Sequence, residues 1–114
     1  MDKVTNLAFE LHEMLLQSNE FLELKEAENK MLNNEVSLSL INNYHKILEK
    51  YSTNKSEIVL KDLHLAKLNM DLNDLIKNYK DKYKNYQILL GKITDIVFED
   101  FSLQSTVDKI IRAK

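Results

Sequence analysis

Metal binding and nucleophilic catalysis require histidine, cysteine or carboxylate side chains at particular spacings. This chain has many carboxylates, but few histidines and no such spacing that involves several ligands. It contains three histidines and no cysteine. His45 and Glu49 stand four residues apart, but one such pair without further ligands is typical of a surface contact on a helix. His12 and His64 flank apolar positions, and the Glu-x-x-His pairs of di-iron bundles do not occur. Because a thiol nucleophile or cysteine-ligated site is excluded, we expect no metal and no cofactor.

A catalytic role without a metal would need a different set of side chains. Helical bundles resembling chorismate mutase hold dicarboxylate substrates with several arginines, because a planar guanidinium binds a carboxylate through two hydrogen bonds. This chain has one arginine, Arg112, close to its end. We therefore predict that the protein is not an enzyme.

Lysines and tyrosines alternate in the second half of the chain and suggest a surface for a polyanion. Lys77, Lys80 and Lys84 would contact phosphates while neighbouring tyrosine rings stack on the bases of single-stranded RNA. The tyrosines, however, occupy apolar positions of a heptad, where a ring is commonly buried with its hydroxyl reaching the edge. Packing is the favoured interpretation, and direct RNA binding through the Lys77–Lys92 face is the alternative.

These tyrosines belong to a run of apolar residues spaced alternately by four and three. The run predicts one long helix from near Leu72 to about Asp100, laid lengthwise against partners. Such a helix would be roughly 45 Å long, whereas a compact globule of this size is only about 35 Å across. The molecule should therefore be elongated or paired. The run comprises Leu72, Ile76, Tyr79, Tyr83, Tyr86, Leu90, Ile93 and Val97.

The preceding segment, from Glu57 to about Met70, is apolar on two sides. One seam consists of Val59, Leu63, Ala66 and Met70. A second seam lies on the other side of the same helix, so the helix should be buried between two neighbours. In so small a chain the second neighbour can be another copy, and we predict a homo-oligomer. The predicted interface residues are Ile58, Leu65, Leu68, Leu72, Tyr79, Tyr83, Tyr86 and Leu90.

The rest of the chain also has helical periodicity. We predict a helix over about 2–17, a second from a Ser18 cap to about Leu32, and a third over about 36–51. The polar stretch 52–56 predicts an exposed loop. A short terminal helix is expected after Ser105.

Composition and charge complete the fold prediction. No proline and one glycine leave little hairpin turn chemistry, which favours a single all-α domain over residues 1–114. We expect an elongated helical bundle with one long helix in its C-terminal half, antiparallel and dimeric. Residues 1–35 carry a net formal charge of −5 and residues 77–92 carry +4. Acidic and basic helices should therefore lie side by side.

Membrane insertion is not expected from the sequence. No apolar run approaches the roughly 18 residues of a membrane span. The acidic, periodic beginning lacks the basic region and apolar block of a signal peptide. We expect a cytoplasmic location and no membrane partner.

Several short patterns resemble the YlbF/YmcA family of small bacterial helical proteins. The turn MDLND at residues 70–74 precedes the heptads, and an amphipathic helix leads into LLQSNEF at residues 15–21. An Asn34–Glu35 step then opens a helix carrying Tyr44, where the family favours an acidic cap and an aromatic residue. The resemblance covers about residues 4 to 100.

The resemblance implies a cytoplasmic all-α protein that associates through its helices. Characterised members act in a complex of family proteins with a third partner, which influences competence, biofilm formation and sporulation and works with the endoribonuclease RNase Y in mRNA processing. Some members bind iron–sulfur clusters through cysteines, which this chain lacks. No catalytic residues come with the resemblance.

Two functional hypotheses follow. The first is a non-catalytic regulatory or adaptor protein that works through helix-mediated association with a second copy, with family proteins or with an RNA-processing nuclease complex. The second is a direct RNA-binding protein. Phosphate binding through several lysines weakens steeply with salt, whereas a contact between apolar helix faces does not.

Overall fold

The computed structural model describes residues 2–99 and contains five α-helices and no strand within them. The helices are α1 (Lys3–Leu16), α2 (Asn19–Leu32), α3 (Glu35–Thr53), α4 (Glu57–Asp71) and α5 (Asp74–Phe98). They account for 89% of the described residues, which confirms the all-α prediction. The terminal helix predicted after Ser105 lies outside the described residues.

Each helix begins at a side chain that accepts a hydrogen bond from a backbone N–H three residues later. These N-caps are Asp2, Ser18, Asn34, Ser56 and Asn73. Such caps satisfy a donor that the first helical turn leaves unpaired, and replacing one with Ala costs about 1 kcal/mol. The caps therefore explain why a chain without proline still breaks into five helices.

Two predicted boundaries shift in the structure. The long helix begins at Asp74, two residues after Leu72, because the amide oxygen of Asn73 accepts from the Ile76 N–H at 3.0 Å whereas Leu72 closes α4. The connection between α3 and α4 is also shorter than predicted. Ser52 and Thr53 remain helical because their hydroxyls donate to carbonyl oxygens of the preceding turn.

The helices form two antiparallel pairs, α2 with α5 and α3 with α4. In the first pair, Phe21 contacts Tyr86 near one end while Met31 packs with Ile76 at the other. In the second pair, the start of α3 lies beside the end of α4, because both meet the cap of α5. By contrast, α1 has few neighbours besides the adjoining part of α2.

The two pairs meet at one place, which we call the joint. Its buried core consists of Met31, Met70 and Ile76, from α2, α4 and α5. Half-buried side chains pack around this core, and they are Leu40, Ile41, Tyr44, Leu75 and Tyr79. Four of the five helices therefore share one small core.

The overall shape is extended, as the length of the heptad helix predicts. The radius of gyration is 19.9 Å, compared with about 13 Å for a compact globule of this length. The molecule measures 52 × 42 × 25 Å along its principal axes. A single domain over residues 1–114 stays a prediction.

Candidate protein-interaction surfaces

The outward side of α4 carries an uncovered apolar seam, which we call the α4 outer seam. It consists of Ile58, Leu65, Leu68 and Leu72, whose exposed fractions are 75%, 58%, 52% and 65%. The other side of α4 buries Val59, Ala66 and Met70. The helix is thus apolar on two sides, as predicted, but residues 2–99 cover only one of them. This seam is available for packing against another molecule.

The remaining residues of the predicted interface, all on α5, lie in different surroundings. Tyr79 packs against the joint, and the Tyr86 ring lies 5.6 Å from that of Phe21. Leu90 is half-buried. Tyr83 is exposed, with its ring 6.2 Å from that of Tyr79. The structure therefore separates the predicted set into an exposed group on α4 and a mostly half-buried group on α5, and their roles in an interface stay predictions.

A second uncovered apolar surface lies on α1, and the sequence predicted only that α1 is amphipathic. None of its residues is buried. Its large exposed apolar side chains fall on two faces of the helix. Val4, Leu7 and Met14 share one face, which we call the α1 stripe, whereas Phe9 and Leu16 lie on the opposite face. An isolated helix of about 12–15 residues is marginally stable in water, so cover on this stripe would stabilise α1. A stripe of apolar residues in the sequence indicates that one face of a helix is buried in a contact. It does not indicate whether that contact is made within the same chain or with another molecule.

The lysines of the possible polyanion face are exposed but differ in their partners. The Lys80 ammonium lies 2.7 Å from an Asp71 oxygen, and Lys82 lies 3.4 Å from Glu23. Among residues 2–99, Lys77 and Lys84 form no close ion pair. The Lys82–Glu23 pair joins α5 to α2, which confirms that basic and acidic helices lie side by side.

The neighbouring lysines lower the pKa of the Asp71 carboxyl. The hydrogen bond from Lys80 lowers the pKa of Asp71 below its ordinary value of 3.8, and the charges of Lys80, Lys67 and Lys77 lower it further. The pair therefore favours the folded state above the ordinary carboxyl pKa. That contribution disappears as pH falls through the lowered pKa, because the protonated carboxyl no longer attracts the lysine.

We expect Lys80→Met to raise the pKa of Asp71 toward 3.8, because the substitution removes the main hydrogen bond to the carboxylate. An NMR titration of the side-chain carboxyls measures this shift directly. Lys84→Met is the matched control, since Lys84 is on the same helix and is not among the groups that lower this pKa. Equal shifts in the two variants would contradict a specific Lys80–Asp71 contact.

The described residues show no cluster suited to metal chemistry. Nowhere between residues 2 and 99 do three or more His, Asp or Glu side chains gather in a way that would hold a metal ion. The His45 ring instead lies 5.9 Å from the ring of Tyr44. None of the five described helices is both long and apolar enough to cross a membrane.

The protein is an extended all-α protein in which two antiparallel helix pairs meet at a small joint. Residues 2–99 leave apolar faces of α1 and α4 exposed. The chain belongs to the YlbF/YmcA family, since the family described as "Control of competence regulator ComK, YlbF/YmcA" matches residues 4–102. This confirms the resemblance seen in the sequence.

A solved structure has the same fold. A crystal structure of Bacillus subtilis RicA in complex with RicF superposes with a TM-score of 0.77 at 20% sequence identity. The match covers 92% of this chain and 96% of that chain. No curated protein sequence matches this chain significantly.

Proposed function

We propose that this protein is a non-catalytic regulatory adaptor that acts by packing its exposed helix faces against other proteins. The observation that carries the proposal is the α4 outer seam, which presents four large apolar side chains at heptad spacing. Fully burying one such side chain contributes about 1.5–3 kcal/mol, so a matching helix face would gain considerably from covering them. Membership of a family tied to control of a competence regulator supports a regulatory role.

The partners we propose are proteins of two kinds. The first is a second copy of this chain, because the α4 outer seam and the α1 stripe both lack cover within the described chain. The second is another family member, by analogy with RicA, which was crystallised with RicF. The proposal includes a role in RNA processing, competence or biofilm formation in the cytoplasm, and this part rests on the family resemblance alone.

Direct RNA binding is the second candidate, and a specific observation favours it. Lys77 and Lys84 are exposed without close ion pairs among residues 2–99, and Tyr83 lies on the same helix with 46% of its surface exposed. The remaining geometry weakens this candidate. Lys80 is already neutralised by Asp71, while Tyr79 and Tyr86 pack within the chain. A single exposed ring is a poor stacking platform for RNA.

We expect the wild-type chain to bind a labelled single-stranded RNA only weakly, and to lose that binding between about 50 and about 200 mM salt. Fluorescence anisotropy measures the affinity. The triple variant Lys77→Glu, Lys80→Glu and Lys84→Glu should keep its helical circular dichroism spectrum, because exposed charges contribute little to stability. It should also keep its protein partners unless they are acidic.

The outcomes of this experiment separate the two candidates. Micromolar or weaker RNA binding near physiological salt, together with protein association that salt barely changes, supports the adaptor. Submicromolar RNA affinity at the same salt, abolished in the triple variant, would replace the adaptor with an RNA-binding protein.

A further inference from the structure

The joint contains a polar contact that directly connects the two helix pairs. Ser37, in the first turn of α3, has no exposed surface. Its hydroxyl lies 3.2 Å from the side-chain oxygen of Asn34 and 3.2 Å from that of Asn73. Asn34 caps its own helix, whereas Asn73 caps α5 and is 36 residues away in the chain.

The orientation of both amides is set by their capping roles. The Asn34 oxygen accepts from the Ser37 N–H, and the Asn73 oxygen accepts from the Ile76 N–H, each at 3.0 Å. Each amide therefore presents its oxygen toward Ser37. Two acceptors thus face one hydroxyl, which has a single proton to donate.

We propose that Ser37 is the latch of a hinge between the two helix pairs. When its proton is donated to Asn73, the hydrogen bond joins α3 to α5 and holds the pairs at one angle. When the proton is donated to Asn34, the bond stays within the first turn of α3 and the joint is free to open. The two acceptor oxygens lie at the same distance from the hydroxyl, so the distances favour neither acceptor.

The apolar part of the joint is poorly suited to setting this angle alone. Hydrophobic attraction is non-directional. Two of the three buried core residues are methionines, whose flexible side chains adapt to changed surroundings. Most other helix contacts lie within a pair and not between pairs. A directional hydrogen bond at the joint therefore has a strong influence on the angle between the two helix pairs, which we call the arms.

The angle matters because the α4 outer seam is on one arm, while α1 adjoins α2 of the other. Opening the joint would move the two uncovered apolar surfaces relative to one another. This consequence for partner choice rests on the proposed adaptor function. The hinge itself does not, and its test measures the conformation of the chain without any partner.

The absence of cysteine makes the hinge directly measurable, because introduced cysteines are the only sites for spin labels. Lys50→Cys on α3 and Asn85→Cys on α5 place labels at exposed positions away from the joint, on different helix pairs. Pulsed electron paramagnetic resonance then gives the distribution of distances between the arms. Dilution with unlabelled chain restricts the signal to distances within one molecule.

We expect Ser37→Ala to raise the population of open molecules by roughly 2- to 10-fold, the usual effect of losing one buried neutral hydrogen bond. The distance distribution should widen while helix content stays unchanged, because both cap oxygens keep their backbone donors. Ser39→Ala, an exposed serine two residues further on, should match wild type. An unchanged distribution in Ser37→Ala would overturn the proposal.

A second pair of variants covers the case in which Ser37→Ala does not fold. Glycine is tolerated at an N-cap with a loss of only a few tenths of a kcal/mol. Asn73→Gly removes the acceptor on the other arm and should widen the distribution. Asn34→Gly adds the same backbone freedom but removes only the competing acceptor, so its distribution should be no wider than that of wild type. Equal widening in both glycine variants would show added chain flexibility and would refute the latch.

Discussion

The Leu65→Asp variant is expected to sediment as a smaller species than the wild-type chain and to keep its helical circular dichroism spectrum. Leu65 is the central residue of the α4 outer seam and is 58% exposed, so an aspartate there remains hydrated in the isolated chain. In an oligomer packed through this seam, the charge would be buried without a partner, at a cost of several kcal/mol. We expect association to weaken at least about 100-fold.

Analytical ultracentrifugation across micromolar concentrations measures this effect. Lys67→Asp is the matched control, because Lys67 is exposed on the same helix and lies about 100° or more around the helix axis from every seam residue. It adds the same carboxylate to the same helix and should sediment like wild type. If the wild-type chain is a monomer throughout this range, the homo-oligomer part of the proposal is wrong.

Ile76→Ala is expected to lower the free energy of unfolding by about 2–5 kcal/mol, a large part of the 5–15 kcal/mol typical of a domain. Ile76 is only 3% exposed and packs with Met31 and Met70 in the small joint core. Removing its side chain opens a cavity where four helices meet, so few neighbours are left to close it. The midpoint of urea unfolding measures the loss.

The control for this prediction makes the same substitution at an exposed isoleucine. Ile58 is 75% exposed on the α4 outer seam, and Ile58→Ala should change stability by less than about 0.5 kcal/mol in dilute protein. A large loss at Ile58 that grows with protein concentration would indicate that another copy covers the seam. Equal losses at both positions in dilute protein would contradict the burial described for the joint.

Most of the secondary structure could be predicted from the sequence because its causes are local. Apolar spacing indicated all five helices, and the oxygen of Ser18 marked the start of α2, as the structure confirms. The ends of helices were predicted less closely than their positions, and α5 begins two residues after the predicted start near Leu72. The pattern at residues 71–74 allowed a start near Leu72, whereas the backbone N–H of Ile76 selects the amide of Asn73.

The candidate surfaces were only partly predictable. The second seam of α4 could be predicted from the spacing of apolar residues, and the described part of the chain leaves it exposed. The α1 stripe was recognised as apolar but not as uncovered. Nothing in the sequence pointed to Ser37, because a serine in the first turn of a helix is common. Its contact with Asn73, 36 residues away in the chain, exists only in the folded structure.

By itself, the sequence determined that the chain is helical, that Ser18 caps α2 and which helix faces are apolar. These properties depend on hydrogen bonds and side-chain spacings within a few residues. Only the tertiary structure decided that α2 pairs with α5, that α3 pairs with α4, and that residues 2–99 leave α1 and the outward side of α4 exposed. The physical reason is that hydrophobic attraction is non-directional. Similar apolar stripes can pair in several ways, and the packing of the whole chain selects among them.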